Sequence, residues 1–396
     1  MKCKVTGKKI DPFMSFGRMP IANGFLNKDK FNEEFFFEME VGFSDDLSLF
    51  QLNDHPKPTM MFNENYPFFT GSSQQMKLHF KNYANWIKKY HPNTIKNIIE
   101  IGSNDGTFLK NFNSNDYNTL GFEPSNNVAE RASKDGVNTI NEFFNKNSVI
   151  NQKNFINNTD LICAANVICH VPDLNDLIQA VCLMLNKSGL FIFEEPYLGS
   201  MFEKISYDQI YDEHIFIFSV TSISKIFKLF DMELVDVFPQ TTHGGSMRYI
   251  TGRKNIHKIS DNVNTLLEKE KLKNLDNISS CNKFKNNCEL SKIKTRKSLL
   301  KFKDNNYKIA GYAATSKSTT ILNYCNINSK IIDYICDTTP EKIGKFSPGT
   351  HIPIVDMYHF KKFNPDVAYL FAWNHKDEIL KKEKNYKGKW FSHVAL

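Results

Sequence analysis

Four consecutive side chains that can hold or move a proton stand at Tyr211, Asp212, Glu213 and His214, in the segment SYDQIYDEHIFIFS. Histidine has an unperturbed pKa of about 6.5, so it can accept a proton at neutral pH. Neighbouring hydroxyl and carboxylate groups can orient a substrate or donate hydrogen bonds to a developing anion. The pattern predicts a general base with helpers, and the alternative is a polar helix end ahead of a buried strand or helix.

A second pattern places acidic residues and glycines directly after an apolar strand, in NIIEIGSNDGTFLK. Glu100, Gly102 and Gly106 form E-x-G-x-x-x-G, in which glycines allow a tight turn and close approach to a ligand at a helix N-terminus. The G-x-G-x-x-G pattern of dinucleotide-binding folds is absent, and Glu100 with Asp105 disfavours pyrophosphate. S-adenosylmethionine, with its sulfonium and amino-acid head, suits this acidic loop; a purely structural strand turn is the alternative.

The next strands end in groups that suit a nucleoside. Glu123 ends LGFEPS, where its carboxylate can accept hydrogen bonds from both ribose hydroxyls. Phe143 and Phe144 follow the third strand region, where they either flank adenine or pack in the core. Together with the glycine loop, Glu123 makes a nucleoside cofactor the favoured prediction.

Further polar side chains follow the fourth and fifth predicted strands: Asn166, His170 and Tyr197. The carboxyl ends of parallel strands meet at one edge of a sheet, so these groups should gather near the cofactor's methyl group. A lone histidine is usually structural. Several ionisable groups at one such edge favour catalysis.

These residues need a scaffold, and residues 76–253 alternate predicted helices and strands. After the helical spacing of SSQQMKLHFKNYANWIKKYH come the strand TIKNIIEIG, helix GTFLKNF, strand NTLGFE, helix NNVAERASKDG, strand TDLICAANVI, helix LNDLIQAVCLMLNKSG and strand LFIFEEP. Such alternation predicts an α/β fold with a doubly wound, largely parallel sheet that binds ligands at the carboxyl ends of its strands.

The 396 residues are too many for one ordinary core, and three other regions flank this sheet. Residues 1–75 are rich in Phe and Met with frequent turn signals, which predicts a small, mostly-β domain. Residues 254–303 are rich in Lys and Asn and predict a connecting helix or pair of helices with a solvated basic face. Residues 304–396 repeat the strand, loop and helix pattern and predict a second α/β domain.

Composition limits the partners. The net charge of +7 is spread along the chain without a nucleic-acid reading motif, which disfavours nucleic acid and is compatible with an anionic small substrate such as a nucleotide diphosphate. The eight cysteines lie mostly in apolar segments and are typical of free thiols in a reducing compartment. The N-terminal segment lacks a signal peptide's apolar run and no stretch reaches about 18 apolar residues, so we expect a cytoplasmic protein without a membrane partner.

Several long motifs closely resemble the sugar C-methyltransferases of deoxysugar biosynthesis: MPIANGFL, EIGSNDGTFL, NVICHVPDL, EEPYLGSMFEKISYDQIYDEHIFIFS, HGGSMRYI, SPGTHIPIVD and FAWNHKDEI. The resemblance covers nearly the whole chain. It implies a small N-terminal zinc-binding domain, a class I (Rossmann-like) S-adenosylmethionine domain and a C-terminal α/β domain that helps hold a nucleotide-diphosphate sugar. That family methylates C-3 of nucleotide-linked 4-keto-6-deoxyhexoses through an enolate. We also expect a monomer.

The resemblance implies that His214 is the general base, with Tyr211 and Glu213 beside the sugar and with His170 and Tyr66 as the other active-site residues. The predicted cofactor contacts are Glu100, Gly102, Asn104, Asp105, Gly106, Glu123 and Asn166. The predicted substrate contacts are Phe69, Ser72, Tyr197, His243, Gly245, Ser246, Arg248 and Lys317.

Two of these substrate contacts have a chemical reason of their own. In HGGSMR, glycines allow close approach and the Arg248 guanidinium suits a phosphate or a sugar oxygen, with a Gly-Gly hairpin turn as the alternative. Lys317 stands in the strand-to-helix loop AATSKST, where an ammonium and backbone amides suit a diphosphate.

The chain also departs from the family. Where the family has two Cys-x-x-Cys pairs, this chain has Cys3, Thr6, Ser44 and Leu47, and one thiolate cannot replace a tetrahedral set of four ligands. We therefore predict no structural zinc and an N-terminal domain that relies on phenylalanine packing.

A second departure lies in the C-terminal loop, where Ala313 and Ser318 replace common glycines. This leaves the identity of the nucleotide and the sugar open. Two other functions also remain possible at this stage: methylation of a sugar oxygen or nitrogen, and a noncatalytic nucleotide-sugar binder.

Overall fold

The computed structural model describes residues 1–64, 66, 68–91, 94–112 and 114–396. The N-terminal region forms three antiparallel strands followed by a short helix: β1 (Pro12–Pro20), β2 (Phe36–Ser44), β3 (Leu49–Leu52) and α1 (Pro58–Met61). Phe13 and Phe50 pack edge to face on this sheet with ring centroids 5.6 Å apart. Aromatic packing of this kind adds to the apolar burial that holds a small sheet together.

The central region folds into a seven-stranded sheet with helices on its faces. Its elements are α2 (Gln74–Tyr90), β4 (Asn97–Ile101), β5 (Asn118–Phe122), α3 (Asn126–Lys134), β6 (Thr139–Ile140), α4 (Lys146–Val149), β7 (Thr159–Ala165), α5 (Leu174–Met184), β8 (Leu185–Pro196), α6 (Leu198–Lys204), β9 (Phe216–Ile217), α7 (Val220–Lys228), β10 (Met232–Gln240) and β11 (Ser246–Arg253). The strand order is β10-β11-β8-β7-β4-β5-β6, in which β11 alone runs antiparallel to its neighbours. This confirms the predicted largely parallel, Rossmann-like sheet.

Helices start where the sequence offers a side-chain cap. The Ser73 hydroxyl accepts the Met76 N–H at the start of α2, and the Asp173 carboxylate accepts the Asp176 N–H at the start of α5. Each cap satisfies a backbone donor that has no partner within the helix. These polar residues directly precede apolar helical periodicity, which is why the sequence predicts both helices.

One predicted helix is wrong. Residues 106–112 form turns that end in a 3₁₀ turn at Leu109–Phe112. Gly106 has a φ of +74°, and the Asp105 carboxylate accepts hydrogen bonds from the backbone and hydroxyl of Thr107. This local side-chain bonding competes with the helical hydrogen-bond ladder.

The C-terminal region contains two helices followed by a five-stranded sheet. Its elements are α8 (Asp261–Leu272), α9 (Ile278–Asp304), β12 (Ile309–Tyr312), α10 (Ser316–Tyr324), β13 (Tyr334–Cys336), β14 (Ile354–Val355), α11 (Met357–Phe363), β15 (Val367–Leu370), α12 (Lys376–Lys382) and β16 (Lys389–Phe391). All strand pairs in this sheet are parallel, in the order β14-β13-β12-β15-β16.

The N-terminal sheet shares its core with the other regions. The Phe16 ring on β1 lies 4.7 Å from the Tyr324 ring on α10, and both belong to a buried cluster that includes Phe284 of α9. The strand β9 leaves the central region and pairs with β3, so Phe50 faces Ile217 across the ladder. The apolar run after His214 is therefore an added strand of the N-terminal sheet.

Where the family places a zinc site, this chain has an apolar core. Cys3 is 1% exposed and lies in the same cluster as Val5, Leu47 and Leu49. We expect treatment with EDTA to leave the midpoint of thermal unfolding unchanged, because apolar packing holds this corner. Release of stoichiometric zinc with a fall in that midpoint would contradict the prediction.

Two further sequence expectations concern the whole chain. All eight cysteines are free thiols, and only Cys182 is not fully buried. In the described ranges, no helix combines the length and the apolar character needed to cross a bilayer.

Candidate active site

The predicted base lies in a chain of hydrogen bonds that fixes its tautomer. His214 Nδ1 lies 2.7 Å from the backbone carbonyl oxygen of Gln209, and Nε2 lies 2.7 Å from the Tyr211 hydroxyl. A carbonyl oxygen can only accept, so Nδ1 carries the proton and Nε2 presents its lone pair to the tyrosine. The basic nitrogen of His214 therefore lies next to the Tyr211 hydroxyl.

The surroundings keep this histidine neutral. His214 is 4% exposed, and burial together with the nearby His170 holds its pKa well below the usual value. The His170 ring stacks on the His214 ring at 5.3 Å, and burial lowers the pKa of His170 to about 3. Both rings are therefore unprotonated at neutral pH, as a general base must be.

Cys169 also belongs to this cluster. Its Sγ and one nitrogen from each of His170 and His214 lie within 4.8 Å of one another. Burial raises the pKa of the thiol well above the usual value, and the His214 nitrogens already have partners. Hydrogen bonds to protein atoms therefore hold His214, whereas His170 Nε2 has no partner among the described residues.

Hydroxyl and carboxyl groups line the space next to the base. Burial, followed by the charge of Glu213, raises the pKa of Tyr66 and of Tyr211 well above the usual value, so both hydroxyls stay protonated as donors. Burial also raises the pKa of Glu213 to about 7, against the lowering effects of Asn23 and Lys342. The structure brings together all five residues predicted as catalytic.

The glycine loop after β4 has the backbone that its sequence predicts. Gly102 and Gly106 have φ values of +66° and +74°, in the left-handed region that glycine favours. A Cβ at these positions would clash with the side chains of Val167 and Val137 respectively. The loop therefore requires glycine for conformation and for space.

Polar groups in this loop are tied to the segment before α2. Asn104 Oδ1 accepts the Thr70 N–H at 2.8 Å, and Asp105 Oδ2 accepts the Gly71 N–H at 2.7 Å. The Glu123 carboxylate accepts backbone N–H groups of Asn104 and Ser125 at 3.0 and 2.8 Å. A carboxylate has about four acceptor sites, so Glu123 keeps capacity for ribose hydroxyls.

Several buried polar atoms near the loop and the base cluster have no hydrogen-bond partner in the described part of the chain: Glu100 Oε2, Asn127 Oδ1, Asn166 Oδ1 and His170 Nε2. Buried polar atoms are normally paired, and unpaired ones at one sheet edge indicate a missing ligand. The donors of a nucleoside and an ammonium group would satisfy them. The residues present therefore fit S-adenosylmethionine, with Asn127 as a contact that the sequence did not reveal.

The C-terminal wall of the cleft carries positive charge over an indole. Lys317 Nζ lies 5.2 Å from the Trp373 ring centroid and 3.3 Å from Asn374 Oδ1. Burial lowers the pKa of Lys317, while Asp208 acts to raise it. Asp208 Oδ2 accepts the Trp373 indole N–H at 2.7 Å, so the segment before the base supports this wall.

The HGG sequence forms the hairpin turn between β10 and β11 and packs on the same indole. His243 and Gly244 have φ values of +54° and +83°, and a Cβ at Gly244 would clash with Trp373. Gly245, with a φ of +132°, leaves no room for a Cβ beside Ser200. Burial lowers the pKa of His243 to about 3, so its ring enters the cleft neutral. The motif therefore forms the hairpin turn that was the alternative to a substrate contact.

Arg248 and Tyr197 have partners that favour structural roles over the predicted contacts to substrate. Arg248 Nε donates to Glu194 Oε1 at 2.8 Å, and the guanidinium lies over Tyr83. Burial raises the pKa of Tyr197, and the charge of Glu270 on α8 and a hydrogen bond with it raise that pKa further. Long-range partners of this kind leave no signal in the local sequence.

Three other predicted substrate contacts, Ser246, Phe69 and Ser72, remain predictions, and their surroundings are as follows. The Ser246 hydroxyl donates to the Thr242 carbonyl oxygen at 3.1 Å, inside the hairpin. Phe69 and Ser72 line an outer pocket of about 560 Å³ with Lys77 and other residues, and no member of the base cluster borders it. Phe144, by contrast, packs on Phe122 in the core. Of its two predicted positions, beside adenine or in the core, the structure shows the second.

The strand order and the cofactor loop define a class I S-adenosylmethionine-dependent methyltransferase. Family models match three successive regions: a putative zinc binding domain at residues 3–62, a methyltransferase domain at 76–237 and a C-methyltransferase C-terminal domain at 241–394. The chain is 26% identical over 390 residues to the C-methyltransferase NovU of Streptomyces niveus, covering 97% of this chain and 92% of that protein. These matches and the similarity to NovU over nearly the whole chain support an S-adenosylmethionine-dependent C-methyltransferase.

Two solved structures resemble part of the chain. A possible histamine N-methyltransferase from Thermotoga maritima is 20% identical, with a TM-score of 0.38, 48% of this chain covered and 98% of that chain. The plantazolicin methyltransferase BpumL in complex with S-adenosylhomocysteine is 13% identical, with a TM-score of 0.35, 45% of this chain covered and 83% of that chain.

The zinc expected from the N-terminal family model does not fit this chain. Leu47 occupies one ligand position with an apolar side chain, and Thr6 and Ser44 offer hydroxyls in place of thiolates. Structural zinc sites use four Cys or His ligands. The N-terminal domain therefore keeps the family's position in the sequence without its metal chemistry.

Proposed function

We propose that this C-methyltransferase methylates C-3 of a nucleotide-linked 4-keto-6-deoxy sugar. The observation that carries the proposal is the tautomer of His214, whose Nε2 lone pair points to the Tyr211 hydroxyl beside the cofactor loop. Methylation of carbon requires a carbon nucleophile, and removal of a proton next to a ketone creates one. A histidine base would also serve a sugar hydroxyl, but the protonated Tyr66 and Tyr211 hydroxyls near it are the donors that an enolate oxygen needs in addition.

When the sugar binds, the Tyr211 hydroxyl turns from His214 Nε2 to the 4-keto oxygen and frees the lone pair of Nε2. Nε2 then takes the C-3 proton, and Tyr211 donates to the 4-keto oxygen as negative charge develops there. Tyr66 offers a second donor, because its raised pKa keeps it protonated. Donors aimed at a developing enolate oxygen are a principal source of rate enhancement.

Other residues hold the sugar and its nucleotide. Glu213 accepts hydrogen bonds from sugar hydroxyls, and Lys317 binds the diphosphate over the Trp373 ring. S-adenosylmethionine, when bound, supplies the methyl group from its sulfonium. Fixing the acceptor carbon in line with that group accounts for several kcal/mol, since orientation supplies roughly 7 to 11 kcal/mol in good cases.

A solvent deuterium exchange experiment tests the proposal. The protein is incubated in D₂O with candidate nucleotide-linked 4-keto sugars and without S-adenosylmethionine, and NMR follows the C-3 proton. We expect exchange with a substrate that is methylated once the cofactor is added. Methylation without exchange at C-3 would favour an oxygen or nitrogen acceptor and would contradict the enolate route.

Replacement of Glu213 by Gln tests its ionisation. Since burial raises the pKa of this carboxyl to about 7, the wild-type kcat/KM should fall as the pH drops below that value, and Glu213→Gln should lose this limb. At pH 8 we expect kcat/KM of Glu213→Gln to be about tenfold lower than that of wild type, which corresponds to the lower end of the range for a hydrogen bond to a charged group. An unchanged acid limb in the variant would assign it to another group.

The same substitution has a stability signature. The folded pKa lies above the unfolded value of 4.5, so protonated Glu213 stabilises the fold fully below pH 4.5, and this stability is lost as the pH rises through about 7. Glu213→Gln should therefore raise the unfolding midpoint, relative to wild type, more at pH 8 than at pH 5. Thermal unfolding at both pH values measures this difference.

A further inference from the structure

A loop of the N-terminal domain reaches between the base segment and the C-terminal domain. The backbone N–H of Ala22 donates to Asp212 Oδ1 at 3.1 Å, and the Ala22 carbonyl oxygen accepts from Thr319 Oγ1 at 2.8 Å. Ala22 is 2% exposed, so these hydrogen bonds are shielded from water. Asp212, which the sequence left without a role, therefore holds this loop against the base segment.

The next residue makes the same bridge with its side chain. Asn23 Nδ2 donates to Glu213 Oε1 at 2.6 Å, and Asn23 Oδ1 accepts from Ser316 Oγ at 3.1 Å. A carboxylate oxygen can only accept, so the amide nitrogen must face Glu213 and the amide oxygen must face Ser316. A rotated amide would put two oxygens in contact, and this fixes the orientation of the side chain.

We propose that Asn23 is a positioning residue, which aims Glu213 at the sugar and couples its orientation to the Ser316 turn beside Lys317. The inference rests on the proposed function, because it takes Glu213 as the carboxylate that meets the sugar. Two neighbouring residues of one domain thus bridge two consecutive carboxyl residues to the first turns of α10. Nucleotide binding at that helix start and sugar alignment at Glu213 would then depend on one chain of hydrogen bonds.

The charge around Glu213 explains why an amide is suited to this position. The titratable groups that face the carboxyl are Tyr66, Cys169, Tyr211, Asp212 and Lys342. Asp212 disfavours a second negative charge, whereas Asn23 and Lys342 favour ionised Glu213. A neutral donor stabilises the carboxylate without adding charge to a buried site.

The test compares Asn23→Ala with Ser316→Ala and with Asn27→Ala as the matched control. Asn27 lies in the same loop, is exposed and makes no side-chain cap bond. Steady-state kinetics across pH measure kcat/KM for the keto sugar. Carbon-13 NMR of labelled glutamate follows the Glu213 carboxyl in the absence of substrate, with Glu213→Gln providing the assignment. Calorimetry with S-adenosylhomocysteine checks the cofactor site.

We expect Asn23→Ala to lower kcat/KM at pH 7 by at least about tenfold and to move the acid limb and the carboxyl titration to higher pH, because the carboxylate loses a donor. Ser316→Ala should shift both in the same direction by less, and the double variant should lose less than the product of the single losses. The affinity for S-adenosylhomocysteine should stay at the wild-type value in these variants. The control Asn27→Ala should match wild type in all measurements.

An unchanged Glu213 titration together with an unchanged kcat/KM in Asn23→Ala would overturn the inference. If Asn23→Ala does not fold, Ser316→Ala decides by the same two measurements. The NMR arm needs no substrate, so it gives its answer even if no keto sugar is methylated. A failure to methylate any keto sugar would contradict the proposed function and leave the NMR result on Asn23 standing.

Discussion

His214→Asn should lower kcat for methyl transfer by at least about a thousandfold, within the range that a positioned general base supplies. Asparagine keeps a polar group of similar width at this position but has no lone pair of comparable basicity. Because His214 Nδ1 and Nε2 bond to Gln209 and Tyr211, both contacts belong to the base segment and not to the cofactor loop. The affinity for S-adenosylhomocysteine should therefore stay close to that of wild type.

Two further measurements separate loss of the base from a general defect. Exchange of the C-3 proton in D₂O should disappear in His214→Asn together with methylation, because both need the same proton removal. His257→Asn provides the matched control, since His257 is half-buried near Gly252, outside the cleft, and should retain full activity. Substantial residual methylation in His214→Asn would move the base to His170 or Tyr211.

The pH dependence of this step follows from the two histidine rings. Burial and the neighbouring His170 hold the pKa of His214 well below the usual value, so the base stays neutral through the physiological range. An acid limb near pH 7 must therefore come from another group, and Glu213 has a pKa of about 7. Loss of the limb in Glu213→Gln, with the limb retained in Tyr211→Phe, would fit this assignment.

The sequence predicted features that depend on neighbouring residues. The strand and helix alternation and the tight turn at Gly102 and Gly106 were predicted from local patterns. His170 follows the carboxyl end of β7, as the parallel sheet predicts. His214 instead lies just before β9 of the N-terminal sheet, and its stacking on His170 depends on how that segment packs against the central sheet.

Features set by distant contacts could not be predicted in this way. Asn23 bonds to Glu213 from 190 positions away, and no local pattern marks it beyond its place in MPIANGFL. Arg248 was predicted to meet a phosphate, but Glu194 on the adjacent strand takes its guanidinium. An arginine that faces a carboxylate and one that awaits a phosphate have the same local sequence, and only the register of β8 and β11 separates them.

Ala313 shows how a departure from the family acts physically. It has a φ of +71°, a conformation that is unfavourable for a residue with a Cβ and that glycine adopts freely. Its neighbour Ala314 donates a backbone N–H to Asp337 at 2.7 Å, which helps hold the turn in place. The loop before Lys317 thus has a left-handed backbone at Ala313 without a glycine there.

Lys317→Met should lower kcat/KM for the nucleotide sugar by about a hundredfold, near the upper range for a charge-assisted hydrogen bond. Methionine keeps much of the length and the apolar contact with Trp373 but removes the charge. We expect most of the loss to appear in KM, because the diphosphate is bound equally in the ground state and the transition state. The binding of S-adenosylhomocysteine should not change.

The surroundings of Lys317 also predict a pH effect. Burial lowers its pKa, with Asp208 opposing that shift, so the ammonium loses its proton at a lower pH than an exposed lysine does. KM should therefore rise on the alkaline side before the usual lysine range, and this rise should be absent in Lys317→Met. Lys330→Met, at an exposed position of the same domain, is the matched control. An unchanged KM in Lys317→Met would exclude Lys317 as the diphosphate ligand and leave His243 and Lys204 as the basic groups of that wall.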